Sequence, residues 1–297
     1  MKISIWIICF GLIFFSCQGS QNKNEYVESE IAITSNNGDV SAHYPLCISQ
    51  DTLIELTNSR GFLTKVAVKL PDTEIKSCIL LLHGWNLPAN QWCDSTSFCK
   101  KALAQGFALV IPELELCNYP MKIYPECLSK YRKYPDLPWI MDTLIPEISN
   151  KTGLLQAEYP NFVAGISTGG RGATLLAYYM SELFSACASL SGDFDITAMS
   201  DEFLYQAWFG EYKQFSERWE FECFAYDVVN FRVPIFIAHG KADMVSPWQQ
   251  SKAIADSLKI HHPELPIRTH FPDSAAHNYD FWNKQTEGVL EFFQAFL

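Results

Sequence analysis

Residues 161–173 read NFVAGISTGGRGA. An apolar run from Asn161 to Ile166 meets Ser167, which has Gly165 two residues before it and Gly169 two after, and a pattern of helical period follows. The spacing predicts a strand that turns sharply into a helix with the serine at the turn. Such a turn strains the backbone of its central residue and crowds the positions two before and two after, so both must be small. The five-residue pattern is weak evidence alone; the strand before it and the helix after it give it weight.

Outward from this point, short apolar runs alternate with longer segments of helical period, the pattern of an α/β fold built around a mostly parallel sheet. TLIELTNSRGFLTKVAVKL (52–70) reads as a hairpin or meander with Gly61 near its turn. SCILLLHG (77–84) is a continuous apolar run, suited to a strand covered on both faces. A helix is expected over about 90–105, then the strand FALVIPEL, then a helix over LPWIMDTLIPEISNKTG that stops at Gly153. After the serine come a helix, the strand ACASLSG, the strand VPIFIAHG, the helix PWQQSKAIADSLKIHH, the strand PIRTHF and a closing helix FWNKQTEGVLEFFQAFL.

Two segments break the alternation. Residues 117–138 are rich in Tyr and Pro and read as a long surface loop. Residues 194–231 carry Tyr205, Trp208 and Trp219 among other aromatics, between two core strands. An insertion there sits near the C-terminal ends of the strands, where open α/β sheets hold ligands. Tyr205, Trp208 and Trp219 are candidates to stack on a ring-shaped substrate, or else they form the insertion's own small core.

A serine hydroxyl is a weak nucleophile and needs a base, a carboxylate to orient that base, and donors for the oxyanion that forms. His277, in SAAHNYDFW after the last strand, is the candidate base. His261 and His262 end a charged helix, His270 lies inside a strand pattern, and His43 precedes the fold. Asp243, in IFIAHGKADMVSP after the penultimate strand, is the candidate carboxylate, with Asp193 and Asp195 one strand earlier as alternatives. His239 reads as a loop-packing residue. The backbone N–H groups of Thr168 and of Trp85, or else Asn86, are the candidate oxyanion donors, with His83 and Gly84 shaping their loop.

At 297 residues, 48% hydrophobic and 19% charged, the chain can bury a full core. A net charge of -11 without basic runs argues against nucleic acid as a partner. Residues 3–16, ISIWIICFGLIFFS, are too short for a spanning helix and have the length of a signal-peptide core. The Ser16-Cys17 junction after it resembles the lipobox of bacterial lipoproteins, with Phe14 and Phe15 departing from the usual residues. The expected organisation is a signal peptide over 1–16, a flexible tether over 17–45 and a catalytic domain over 46–297. The resemblance implies lipid on Cys17, and with it export to the bacterial envelope, in the periplasm or at the outer membrane. Of the ten cysteines, Cys93 with Cys99 and Cys117 with Cys127 are the expected local disulfides, and Cys78 and Cys187 are expected to be buried thiols. No zinc-type spacing occurs, and the chemistry expected of this serine needs no metal or organic cofactor.

LLHGW, GISTGG, HGKADMVSP and AHNYDFW, in the order Ser, Asp, His, resemble the α/β-hydrolase superfamily over nearly all of residues 47–297. The stretch GISTGGRGATLLAYYMSELFSACASLSGDFD is similar to the esterase D and feruloyl or acetyl-xylan esterase group. HGKADMVSPWQQSKAIADSLK resembles prolyl-oligopeptidase catalytic domains. These resemblances imply an esterase acting on small-molecule or polysaccharide esters. A serine peptidase and a non-catalytic binding lipoprotein are the rival readings.

Overall fold

Apolar runs such as SCILLL and NFVAGI bury every side chain only where layers cover both faces of the sheet, and the chain supplies those layers as helices. A computed structural model describes Tyr44 and residues 46–297 apart from Asp227; the expected signal peptide, Cys17 and the tether up to residue 43 lie outside the described residues. Eight strands form one sheet: β1 (Thr52–Thr57), β2 (Leu63–Lys69), β3 (Ser77–Leu82), β4 (Phe107–Pro112), β5 (Asn161–Ile166), β6 (Ala186–Leu190), β7 (Ile235–Ala238) and β8 (Ile267–His270). Their order is β1-β2-β4-β3-β5-β6-β7-β8. The β1/β2 and β2/β4 pairs are antiparallel and the rest are parallel. The first pair is the expected hairpin, turning through Gly61 at φ 80°.

The helices are α1 (Gln91–Ser95), α2 (Phe98–Ala104), α3 (Leu137–Trp139), α4 (Ile145–Thr152), α5 (Thr168–Tyr179), α6 (Phe203–Phe209), α7 (Tyr212–Phe221), α8 (Trp248–His261), α9 (Tyr279–Lys284) and α10 (Thr286–Gln294). A π-helical turn, Ile140–Leu144, joins α3 to α4, which ends on Gly153 at φ 80° as a left-handed cap. Successive strand residues point to opposite faces, so neighbouring residues enter different cores. Leu80, Val110 and Val163 pack with Ile148, Leu176 and Leu258 on one side. Ile79, Leu109 and Phe162 pack with Trp92, Leu290 and Phe293 on the other.

Several expectations are corrected. The helix over 90–105 is two short helices, because Thr96 is extended at φ -135° and its hydroxyl donates back to the Trp92 carbonyl. The expected Cys93–Cys99 disulfide links them. The closing helix is likewise two, α9 and α10, meeting at Gln285. Residues 117–138 are less a surface loop than a packed strap, with Tyr119, Tyr131 and Tyr134 buried. Cys117 and Cys127 do not pair. The Cys117 thiol donates to the Pro135 carbonyl within the main core, while Cys127 is buried in a third cluster with Trp208 and Trp219. Cys78 and Cys187 are buried thiols, as expected. Among the described residues no helix is long and apolar enough to cross a membrane.

Phe162 lies at the centre of one core, stacked on Phe293 at 4.5 Å and edge-on to Phe107 at 6.0 Å. Truncating it to alanine is expected to cost about 3–5 kcal/mol, since a large cavity would open between sheet and helix. Urea unfolding followed by tryptophan fluorescence measures this; an unchanged midpoint would contradict the packing of β5 against α10.

Candidate active site

Strand β5 delivers its chain into α5 through a single residue. Ser167 has φ 56° and ψ -129°, a conformation that non-glycine residues rarely adopt, and its N–H donates to the Leu190 carbonyl at 2.9 Å. A Cβ on Gly165 would stand 1.8 Å from the Gly169 carbonyl oxygen, and one on Gly169 would stand 2.3 Å from that of Leu82. Both glycines are therefore required by backbone contact. Gly84 comes close as well, with its absent Cβ 3.0 Å from Ser167 Cβ.

The loops after β7 and β8 bring the other two groups to the serine. His239, Lys241 and Ala242 donate backbone hydrogen bonds to His270, Pro272 and Ala275, so the pairing of the strands continues into their loops. Gly240 permits this approach, since a Cβ there would meet the Ala275 carbonyl oxygen at 2.1 Å. As a result His277 Nε2 lies 2.9 Å from Ser167 Oγ, and His277 Nδ1 lies 2.6 Å from Asp243 Oδ2. Trp282 stands edge-on to the imidazole at 5.1 Å and donates its indole N–H to Ser191 Oγ.

Every acceptor site on Asp243 is engaged. Oδ1 accepts from the Val245 and Ser246 N–H groups at 2.8 and 2.9 Å, and Oδ2 faces His277 and, at 3.2 Å, His239 Nε2. Burial alone would raise this carboxyl's pKa; the hydrogen bonds from His239 and His277 and the attraction of His277 outweigh it and hold the group well below the usual carboxylate range. His239 thus does more than pack a loop. Its Nδ1 faces Ser251 Oγ at 2.7 Å, which turns Nε2 toward Asp243. Sequence reasoning missed this, although the four-residue spacing of His239 and Asp243 was visible.

The alternative carboxylates have other partners. Asp193 accepts from Tyr205 Oη at 2.6 Å, and Asp195 caps a short 3-10 helix by accepting from the Thr197 N–H and hydroxyl. Thr168 is the first residue of α5, so its N–H has no acceptor within the helix. Trp85 lines the same cavity as Thr168, whereas the Asn86 N–H donates to the Glu115 carbonyl at 3.0 Å. His83, buried, faces the Gly84 carbonyl through Nδ1 and accepts from the Leu114 N–H through Nε2. Desolvation lowers its pKa, partly offset by the Gly84 bond and by Glu113 and Glu115, so it stays a neutral brace for the loop.

Ser167, Thr168 and His277 open onto a cavity of about 460 Å³ whose walls include Trp85, Leu87, Met199, Leu204, Tyr205 and Trp282. Tyr205 is the one member of the expected aromatic trio that borders it. Trp208 and Trp219 are buried in the insertion's own core, Trp208 stacked on Tyr131 at 5.6 Å and Trp219 donating to the Gly210 carbonyl at 3.0 Å. They hold the wall that Tyr205, Leu204 and Met199 present.

Comparison with curated protein sequences finds no match. The prolyl oligopeptidase family matches residues 155–297, the span holding Ser167, Asp243 and His277. Among solved structures, S-formylglutathione hydrolase from Agrobacterium tumefaciens superposes with a TM-score of 0.69 at 16% identity, covering 84% of this chain and 99% of that one. A ferulic acid esterase gives 0.63 at 16% identity, covering 84% and 100%. The acylaminoacyl peptidase of Pyrococcus horikoshii gives 0.63 at 15% identity, covering 84% of this chain and 42% of that longer one.

Two outcomes follow from the geometry. Gly169→Ala is expected to abolish the turn, giving a protein that unfolds at markedly lower urea or fails to accumulate; a variant of unchanged stability would contradict the backbone contact. Asp243 titrates lower when folded than the ~3.9 of an unfolded aspartate, so the unfolded chain binds more protons in that window. The stability contributed by the carboxylate is therefore present above about pH 4 and lost as pH falls below it. Urea unfolding against pH is expected to show a steeper acid loss in wild type than in Asp243→Asn; equal slopes would refute this. Sheet order, serine turn and superpositions agree: the chain has the α/β-hydrolase fold.

Proposed function

We propose that this chain is a serine hydrolase that cleaves carboxylic esters through an acyl-enzyme, acting on acetyl or feruloyl groups of polysaccharides. The observation that carries the reading is the contact of Ser167 Oγ with His277 Nε2 at 2.9 Å, made by a serine held at positive φ over an apolar cavity. Ser167 Oγ attacks the ester carbonyl carbon while His277 takes its proton. Asp243 fixes the imidazole with Nδ1 protonated and stabilises the imidazolium that forms. The N–H groups of Thr168 and Trp85 receive the oxyanion. His277 returns the proton to the departing alcohol, and water then attacks the acyl-enzyme by the same route in reverse. The esterase neighbours lend support, and no step draws on a metal or organic cofactor.

A second reading, a serine peptidase acting on small peptides, is favoured by the match of residues 155–297 to the prolyl oligopeptidase family. The two part on amide turnover. Side-by-side kcat/KM for an aryl acetate, methyl ferulate and an Ala-Pro anilide separates them, with Ser167→Ala as the blank. Ester turnover that falls by at least about 10⁴-fold in the blank, with the anilide untouched, is the expected result. Preferential anilide cleavage would replace the esterase with the peptidase.

The location we propose is the bacterial envelope, with Cys17 lipid-modified after removal of residues 1–16, in the periplasm or at the outer membrane. The apolar run ending in Ser16-Cys17 supports it. Cells fed labelled palmitate are expected to label the wild-type chain in the membrane fraction and not Cys17→Ala; labelling of both would exclude Cys17 as the acceptor.

A further inference from the structure

Beyond the reactive cavity lies a second one of about 520 Å³, and the two share Met199, Glu202 and Val245 as a common ridge. The chemistry of their walls differs. The first is lined largely by indole, phenol and aliphatic side chains. The second is lined by Asp201, Glu202, Lys241, Trp248 and Gln249, together with the exposed tip of the Asp243 loop. Asp201, Glu202 and Gln249 are exposed and have no side-chain hydrogen bond or ion pair within the described residues. Lys241 pairs with the exposed Asp273 at 2.6 Å and lies 5.4 Å over the Trp248 ring.

We infer that this second compartment is the subsite for the alcohol half of the substrate, and that it takes a polyhydroxylated alcohol; the inference rests on the esterase reading. Proton delivery sets the direction. The alcohol oxygen must leave against His277 Nε2, because that is where it collects its proton as the bond to the acyl carbon breaks. The far edge of the same imidazole is held by Asp243, and Asp243 borders the second compartment. An alcohol extended past His277 therefore crosses the Val245 ridge into it, while the acyl group stays against the apolar walls around Ser167. Neutral hydroxyls suit what waits there: two carboxylates accept hydrogen bonds, the Gln249 amide both donates and accepts, and the Trp248 indole offers apolar surface to a sugar's C–H edges.

The test compares one acid on three alcohols, as methyl acetate, glucose 6-acetate and acetylcholine, with full-length protein and Ser167→Ala as the blank. The substitutions are Asp201→Asn and Gln249→Ala, singly and together, at exposed positions. The expected result is that the double variant lowers the selectivity for glucose 6-acetate over methyl acetate about tenfold, chiefly through KM, as the loss of one or two hydrogen bonds to the alcohol predicts. Equal effects on both esters, or none on either, would overturn the assignment. So would a wild-type preference for acetylcholine over glucose 6-acetate, which would mark the compartment as a cation site. Absence of Ser167-dependent turnover of every ester is a separate failure: it removes the esterase reading, and the alcohol subsite with it.

Discussion

The structure depends on a crossing of backbones beneath Ser167 that leaves no room for side chains. Gly165 and Gly169 face each other across the turn, Gly169 meets the carbonyl oxygens of Leu82 and His83, and Gly170 approaches Gly192 and Ser189. Three parallel strands, β3, β5 and β6, are thereby fixed at their C-terminal ends around one hydroxyl. The strain of a serine at positive φ is tolerated because these contacts over-determine it. Once the strand ends are fixed, the loops after β7 and β8 have only a short reach, and their continued pairing brings Asp243 and His277 to the same point.

This is why the meeting of Ser167, Asp243 and His277 was legible in the sequence. The turn is a local rule, written within five consecutive residues; Asp243 follows the apolar run of β7, and His277 lies in the loop between the alternating strand β8 and the closing helix. Other features were settled by packing between distant segments, which a linear reading does not contain. Trp208 and Trp219 have the same composition signal as Tyr205, yet only Tyr205 faces the cavity, because Tyr131 from another loop covers Trp208. Cys117 and Cys127 are close in sequence but enter different cores. The break at Gln285 is invisible in the helical period; in the fold its side chain is occupied with His270 and the Phe281 carbonyl.

The electrostatics concentrate on one carboxylate. Asp243 receives two backbone N–H groups and two imidazoles, so it is fixed in place and held ionised although it is largely shielded from water. A carboxylate so held does not rotate away from His277, and the imidazole keeps the tautomer that presents Nε2 to Ser167. His239 is a positioning residue in this arrangement, acting through Asp243 and braced by Ser251.

A buried side chain of α5 ties the strap and the insertion to the helix that follows the serine. Arg171 lies on α5, one turn past the serine, fully buried. Its guanidinium donates to the carbonyls of Asn118 and Tyr119 in the strap and to that of Glu222 at the end of the insertion. Glu222 in turn accepts from the Met121 and Lys122 N–H groups, closing the link between the two segments. Burial pushes the Glu222 carboxyl up, against the pull of Arg171 3.5 Å away, so the tie is costly to bury and would not be replaced by either partner alone. What it secures is the distance between the serine and the walls contributed by residues 199–205. The sheet and its glycines fix where the Ser167 hydroxyl stands, and this buried pair joins the segments that wall the cavity beside it.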